Sequence, residues 1–356
     1  MIGAPRKIVI AAGGTAGHVV PALAVAEALR AEGAEVTFIG GGRAEAQLVP
    51  GANYPLYTIS VEGLSRTNPL RALRALALAL AAVPRARSLL RTLEPDAVMG
   101  GGGYVSAPVG LAALSRRIPL VLTEADGHLG LTNRALARFA RRVCLAFPVP
   151  GRDGPRYRVT GRPVPRTTGD RIAARRRFGI APEETCVLVF GGSLGARTIN
   201  LASVESLAGA PFRVLHVCGR RDHAELSARE LPDGYELHEY LELEDFGQAL
   251  AAADLVVARA GGSVFEIAAS GRPAILVPYP QASGDHQSAN ARWMTDAGAA
   301  ITIPDSELTA GRLGAEVAAL LADPDRLAAM SAAAASLARP HAAREVAGEL
   351  LEAARR

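Results

Sequence analysis

The 356-residue sequence predicts an α/β protein of two parallel-sheet domains, each built around a strand–glycine–helix unit. Two observations carry the prediction. Strand-like and helix-like stretches alternate along the chain, and the same glycine loop occurs twice, half a chain apart. The first copy runs from KIVIAA through Gly13-Gly14-Thr15-Ala16-Gly17-His18 into the helix-like VVPALAVAEALRAEG. The second runs from CVLVF through Gly191-Gly192-Ser193-Leu194-Gly195-Ala196-Arg197 into another helical stretch. Two such nucleotide-type domains are expected to face each other across a cleft. A cleft between phosphate-cradling loops suits a large, polyanionic substrate pair.

The elements follow in order. Short β-branched runs at Lys7–Ile10, Glu35–Ile39, Ala97–Met99, Leu120–Leu122 and Arg142–Leu145 alternate with Ala/Leu-rich helices. The Gly/Pro/Arg-rich stretch 151–169 reads as the linker. Strands resume at Cys186–Phe190, Phe212–Val217, Tyr235–Glu239, Leu255–Ala258 and Ala274–Val277. The tail Asp323–Arg356 reads as Ala/Leu helix interrupted by Pro340. The expected domains are 1–162 and 163–337, with 338–356 packing back on the first.

A hydrophobic content of 49% with 21% charge belongs to a globular chain, and a net charge of +4 demands no nucleic-acid partner. Lys7 is the only lysine, which excludes a Walker-type phosphate loop and a lysine Schiff base elsewhere. Cys144, Cys186 and Cys218 stand apart among apolar residues, so they read as buried thiols of a reducing compartment. The N-terminus leads straight into a strand and does not read as a signal peptide. No apolar run reaches spanning length. Between Gly63 and Leu93 there is no acid, but there are Arg66, Arg71, Arg74, Arg85, Arg87 and Arg91.

Neither glycine loop is the dinucleotide fingerprint. Both are double-glycine variants whose backbone amides and following helix can hold an anion, with Thr15 and Ser193 adding hydroxyls. Tight strand–helix packing is the plainer alternative. A third cluster, Gly100-Gly101-Gly102-Gly103, reads as a loop approaching substrate or the opposite lobe rather than as packing. A fourth, Gly261-Gly262-Ser263, opens a helix with Glu266 in its first turns. That carboxylate suits sugar hydroxyls, or else simply complements the helix dipole. Asp285, His286, Gln287 and Asn290 follow as a hydroxyl-binding set.

In this order GGTAGHxxPALAVAEAL, GGGGYVSAPVGLAA, GLTNR, GGSLGAR, RAGGSVFEIAASGRPAILVPYP and DHQSANA resemble the MurG family across nearly the whole chain. Its members are N-acetylglucosaminyltransferases that convert lipid I to lipid II in bacterial peptidoglycan synthesis. The resemblance implies a GT-B glycosyltransferase fold of two Rossmann-like domains and an inverting β-1,4 transfer from UDP-N-acetylglucosamine (UDP-GlcNAc) to an undecaprenyl-diphosphate-linked muramoyl pentapeptide. It also implies a peripheral location at the cytoplasmic face of the plasma membrane. Helix N-termini can stabilise the leaving diphosphate without a metal, no acidic cluster suggests one, and no cofactor is expected. The implied partners are UDP-GlcNAc, lipid I, an anionic membrane surface and other cell-wall synthesis proteins, without nucleic acid.

Carried over by position, Thr15, Ala16 and Gly17 lie near the donor sugar and acceptor diphosphate. Ser193 contacts the donor phosphates, and the Leu241 backbone meets the uracil. Gly261, Gly262, Ser263, Val264, Phe265 and Glu266 surround the nucleotide, with Glu266 on the ribose, and Gln287 binds the GlcNAc hydroxyls. Arg166 matches the family's linker arginine one place late. Asp126 stands where the family has an asparagine that touches the donor sugar, and the 261–266 loop is one residue shorter than usual. A base within hydrogen-bond reach would assist the attacking C4 hydroxyl, and His18 is the first choice; a contact to the acceptor diphosphate or a helix-capping histidine are the alternatives.

Leu70, Leu73, Leu76 and Leu80 recur at near-helical spacing beside Arg71 and Arg74, which suits an anionic bilayer. An amphipathic helix packed on its own sheet explains the pattern equally. The rival functions are a glycosyltransferase with another lipid or natural-product acceptor, a UDP-GlcNAc 2-epimerase, and a non-catalytic sugar-nucleotide-binding protein.

Overall fold

The computed structural model describes residues 4–63, 68–165, 170–282 and 285–355. Arg66, Arg166, Ser283 and Gly284 lie outside them. The chain divides into two compact units, Met1–Pro165 with Arg339–Arg356, and Arg166–Ala338.

Among the described residues, the first unit carries strands β1 (Lys7–Ala11), β2 (Glu35–Gly40), β3 (Leu56–Thr58), β4 (Ala97–Gly100), β5 (Leu120–Glu124), β6 (Arg142–Leu145) and β7 (Tyr157–Val159). Helices α1 (Ala16–Ala31), α2 (Glu45–Gly51), α3 (Pro69–Leu93), α4 (Ser106–Ser115) and α5 (Leu131–Leu136) connect them. All pairs are parallel, in the order β3-β2-β1-β4-β5-β6-β7. The central strands are apolar on both faces, as a sheet covered by helices on both sides requires.

Part of this sheet departs from the expectation. The stretch assigned to the linker contains β7, which pairs with β6 in register Val143↔Tyr157. It was missed because its three residues carry an arginine and lie among Gly and Pro. The outward side of α3 is a second correction. Leu70, Leu73, Leu76 and Leu80 are all exposed, while Ala75, Ala82, Ala86, Leu89 and Leu90 face the core. The leucine stripe therefore does not pack on its own sheet.

The second unit repeats the design with α6 (Arg171–Arg177), β8 (Cys186–Phe190), α7 (Arg197–Leu207), β9 (Arg213–Val217), α8 (His223–Ser227), β10 (Tyr235–His238), α9 (Leu243–Ala252), β11 (Leu255–Ala258), α10 (Val264–Ala269), β12 (Ala274–Leu276), α11 (His286–Asp296), β13 (Ala300–Thr302), α12 (Ala310–Leu321) and α13 (Pro324–Leu337). Its parallel sheet runs β10-β9-β8-β11-β12-β13. A final helix, α14 (Ala342–Ala353), packs against α1 and β4–β6 of the first unit. Its Glu349 meets Arg142 at 2.8 Å. In both sheets the chain reverses its winding between the first and fourth strands of the unit. Loops leaving the carboxyl ends of those strands diverge there and open a ligand crevice. The two switch points fall at β1/β4 and β8/β11.

Candidate functional site

At the first switch point the loop after β1 opens α1, whose N-cap is Thr15. His18 lies one turn in, half-buried, with Nδ1 3.3 Å from Thr15 Oγ1. Arg162, after β7, donates from Nη2 to the Gly17 carbonyl at 2.5 Å. The imidazole leans over Gly102, where a Cβ would stand 2.6 Å from Cδ2. Burial, then the Arg162 charge, lowers the His18 pKa from the ordinary 6.5, against the opposing fields of Asp126 and Glu45. The shift favours the neutral imidazole, the form able to accept a proton.

Gly100–Gly103 corrects an expectation. A Cβ at Gly103, whose φ is +75°, would overlap the Gly13 carbonyl oxygen. Ser106 Oγ donates to the carbonyls of Ala11 (3.0 Å) and Gly102 (2.8 Å). The cluster is glycine because it packs directly against the first glycine loop. That loop is also less open to anions than its sequence suggested, since the Gly14 N–H donates to the buried Glu45 carboxylate at 2.8 Å.

Asp126 lies in the loop after β5, close enough to His18 to act on its charge. The loop is shaped by buried Glu124, which accepts from the N–H of Gly130 (2.8 Å), from Asn133 Nδ2 (2.9 Å) and from the Asp126 N–H (3.2 Å). Burial raises the Glu124 carboxyl above the usual carboxylate range, and these hydrogen bonds oppose the rise. The asparagine of GLTNR thus organises the loop from beneath.

In the second unit the loop after β8 presents exposed Ser193 and Leu194 ahead of α7. The loop is braced by its neighbour. Gly195 has φ +82° and lies against the Cys218 carbonyl, which also accepts from Asn200 Nδ2 at 2.8 Å. Asn200 Oδ1 faces His216 Nε2 at 3.1 Å, and His216 Nδ1 faces the Tyr235 hydroxyl at 2.7 Å. Burial pushes the His216 pKa down to about 3, so the neutral ring donates from Nε2 and accepts from Tyr235.

Across this switch point, buried Arg259 donates to the carbonyls of Val277 (3.1 Å) and Pro278 (3.3 Å), to Asp305 Oδ1 (2.5 Å) and to Thr198 Oγ1 (2.9 Å). It ties the ends of β11 and β12 to the first turn of α7. Gly261, Gly262 and Ser263 are partly exposed at the opening of α10. Val264 and Phe265 are core residues instead, with Phe265 5.0 Å from the Trp293 ring, so their side chains are not offered to a ligand. Gln287 Oε1 accepts the Tyr279 N–H at 2.9 Å, and its Nε2 borders Gly261. Asn290, expected among hydroxyl-binding residues, is buried and donates to the Ala260 carbonyl at 3.0 Å. Burial raises the Tyr240 phenol, with the charges of Glu242 and Glu266 acting in the same direction against Arg220.

The structure therefore gathers Thr15, Ala16, Gly17, His18 and Asp126 at the carboxyl edge of the first sheet. It gathers Ser193, Leu241, Gly261–Glu266 and Gln287 at that of the second. Arg166 lies outside the described residues. Glu45, Glu124, Arg162, Asn200 and Arg259 also shape these edges, beyond the residues expected from the sequence. For Glu45 a signal existed: Gly40-Gly41-Gly42 is another glycine run after a strand, followed by a helix-opening glutamate.

Residues 8–145 match the model of the glycosyltransferase family 28 N-terminal domain, and residues 186–346 that of its C-terminal domain. Fold and match together define a glycosyltransferase of the GT-B class. The UDP-N-acetylglucosamine–N-acetylmuramyl-(pentapeptide) pyrophosphoryl-undecaprenol N-acetylglucosamine transferase of Moorella thermoacetica is 43% identical over 355 residues, covering 94% of this chain and 96% of the relative. Its namesake in Rubrobacter xylanophilus is 44% identical over 340 residues, covering 93% and 99%. The crystal structure of Acinetobacter baumannii MurG superposes with a TM-score of 0.75 at 32% identity, covering 98% of this chain and all of that one. The chain belongs to glycosyltransferase family 28 and, within it, to the MurG N-acetylglucosaminyltransferases.

Proposed function

We infer that this chain transfers N-acetylglucosamine from UDP-GlcNAc to the C4 hydroxyl of lipid I, with inversion, forming lipid II and UDP. The observation that carries the reading is near-full-length identity to transferases of that name, with glycine loops at both switch points.

The acceptor C4 oxygen attacks the anomeric carbon as the bond to the UDP oxygen breaks. Neutral His18 takes the hydroxyl proton, and Thr15–Gly17 line the same edge for the donor sugar and acceptor diphosphate. Charge develops on the departing diphosphate. Ser193, on the loop ahead of α7, offers a hydroxyl beside the positive end of that helix. Glu266 suits the ribose hydroxyls, the Leu241 backbone the uracil edge, Gly261–Ser263 the nucleotide, and Gln287 the GlcNAc hydroxyls. Asp126, beside His18, stands where it can meet the sugar or hold the imidazolium formed during transfer.

The acceptor's lipid calls for a membrane-facing surface. Among the described residues no helix is long and apolar enough to cross a membrane. Leu70, Leu73, Leu76 and Leu80 are 77%, 65%, 51% and 58% exposed along α3, with Arg71 and Arg74 exposed beside them. An outward apolar stripe edged by arginines suits an anionic leaflet and supports a peripheral location at the cytoplasmic face of the bacterial plasma membrane.

The deciding experiment measures UDP release from UDP-GlcNAc with and without a short-chain lipid I analogue. Release that depends on the analogue is expected. Bound UDP with no acceptor-dependent release overturns the assignment.

A further inference from the structure

Glu45 opens α2, yet its side chain turns inward and is fully buried. Oε2 accepts the Gly14 N–H at 2.8 Å and Oε1 the Gly41 N–H at 2.7 Å. Among the described residues no cation pairs with it. A buried carboxylate without a counter-charge is a poor device for stability alone, and an apolar side chain would fill the space at less cost. The surroundings are nevertheless shaped to it. Added Cβ atoms at Gly13, Gly40 and Gly41 would stand 2.7, 2.7 and 2.9 Å from Glu45 atoms. Tyr104 closes the other side, with its ring 3.0 Å from the corresponding point on Gly14. The residue after Gly14 is Thr15, the N-cap of α1 and the neighbour of His18 Nδ1.

We propose that Glu45 is a positioning residue for the transfer, its carboxylate clasping the loops after β1 and β2 so that Thr15, Gly17 and His18 stand in register. The proposal rests on the function inferred above. Two acceptor oxygens on one rigid group hold two backbone donors at once, which fixes the path of the glycine loop just before the helix that carries His18.

The test is Glu45→Gln. The carboxamide keeps one acceptor but turns an NH₂ toward the other backbone N–H, so one side of the clasp opens at almost constant volume. Turnover with the lipid I analogue should fall about tenfold to a hundredfold, the scale expected of a small misplacement of a reacting group. The Kd for UDP, measured by calorimetry, should stay within about twofold, because that ligand is assigned to the other unit. Gly41→Ala opens the clasp from the opposite side while keeping the carboxylate, and decides the matter alone if Glu45→Gln does not fold. It should give the same split, and the double variant should be no slower than the slower single one. Unchanged turnover, a parallel loss of UDP affinity, or multiplying effects overturn the proposal. The wild-type chain assayed alongside separates the two ideas. No acceptor-dependent UDP release in wild type overturns the functional reading, whereas release kept in Glu45→Gln overturns only the role of Glu45.

Discussion

His18 shows how a single residue is tuned by groups far from it in sequence. Burial, then the Arg162 charge, favours the neutral ring, while Asp126 and Glu45 oppose them, and the net effect lies below the ordinary imidazole value of 6.5. If His18 is the base, the acid limb of turnover against pH lies below that value, and His18→Ala lowers kcat by about 10² to 10⁴ with UDP binding kept. Steady-state rates between pH 5 and 8 check this; an unchanged kcat in the variant excludes the role. The stability sign follows from the same shift. The unfolded chain takes up the proton first, so this group's contribution is present above pH 6.5 and declines as pH falls through it.

At the scale of elements, α3 carries two kinds of surface along one helix. Asn68 caps its start by accepting the Arg71 N–H at 3.1 Å, and its second half anchors on Leu89 and Leu90. The first half presents leucines outward. Replacing Leu70, Leu73, Leu76 and Leu80 by Ser should reduce co-sedimentation with anionic vesicles by about an order of magnitude, each lost contact being modest and the set additive. Because the side chains are exposed, each change should alter stability by no more than about 0.5 kcal/mol. Retained vesicle binding would remove α3 from the membrane surface. The spacing of the leucines was legible in the sequence, but their direction was not. Ala75, Ala82 and Ala86 let the helix approach its neighbours, and ahead of Leu89 and Leu90 small residues rather than the leucines face inward.

For the whole molecule, the chain's end completes the fold of its beginning. Val346 and Leu350 of α14 are fully buried in the first unit, and Glu349 joins Arg142 at 2.8 Å and Arg158 at 3.5 Å. Each large side chain so buried contributes about 1.5–3 kcal/mol, so α14 represents a large part of the roughly 5–15 kcal/mol that holds a typical domain. Deleting residues 339–356 should leave the first unit unfolded or aggregating while the second stays folded. Urea unfolding that keeps two transitions at their wild-type midpoints would refute this.

The amino-acid sequence by itself determined the alternation of strands and helices, the two glycine loops and the family, because these are written in local periodicity and contiguous motifs. It did not reveal β7, whose three residues become a strand only by pairing with β6. Nor did it show that Gly103 is glycine to clear the Gly13 carbonyl, or that the Gly14 amide is already held by Glu45. Arg162 approaches His18 from the other end of the first unit, and Asn200 and Arg259 brace loops remote in sequence. Only the tertiary structure decided these roles. A buried polar group takes whichever partner the fold brings within 3 Å or so, and sequence distance places no limit on that choice.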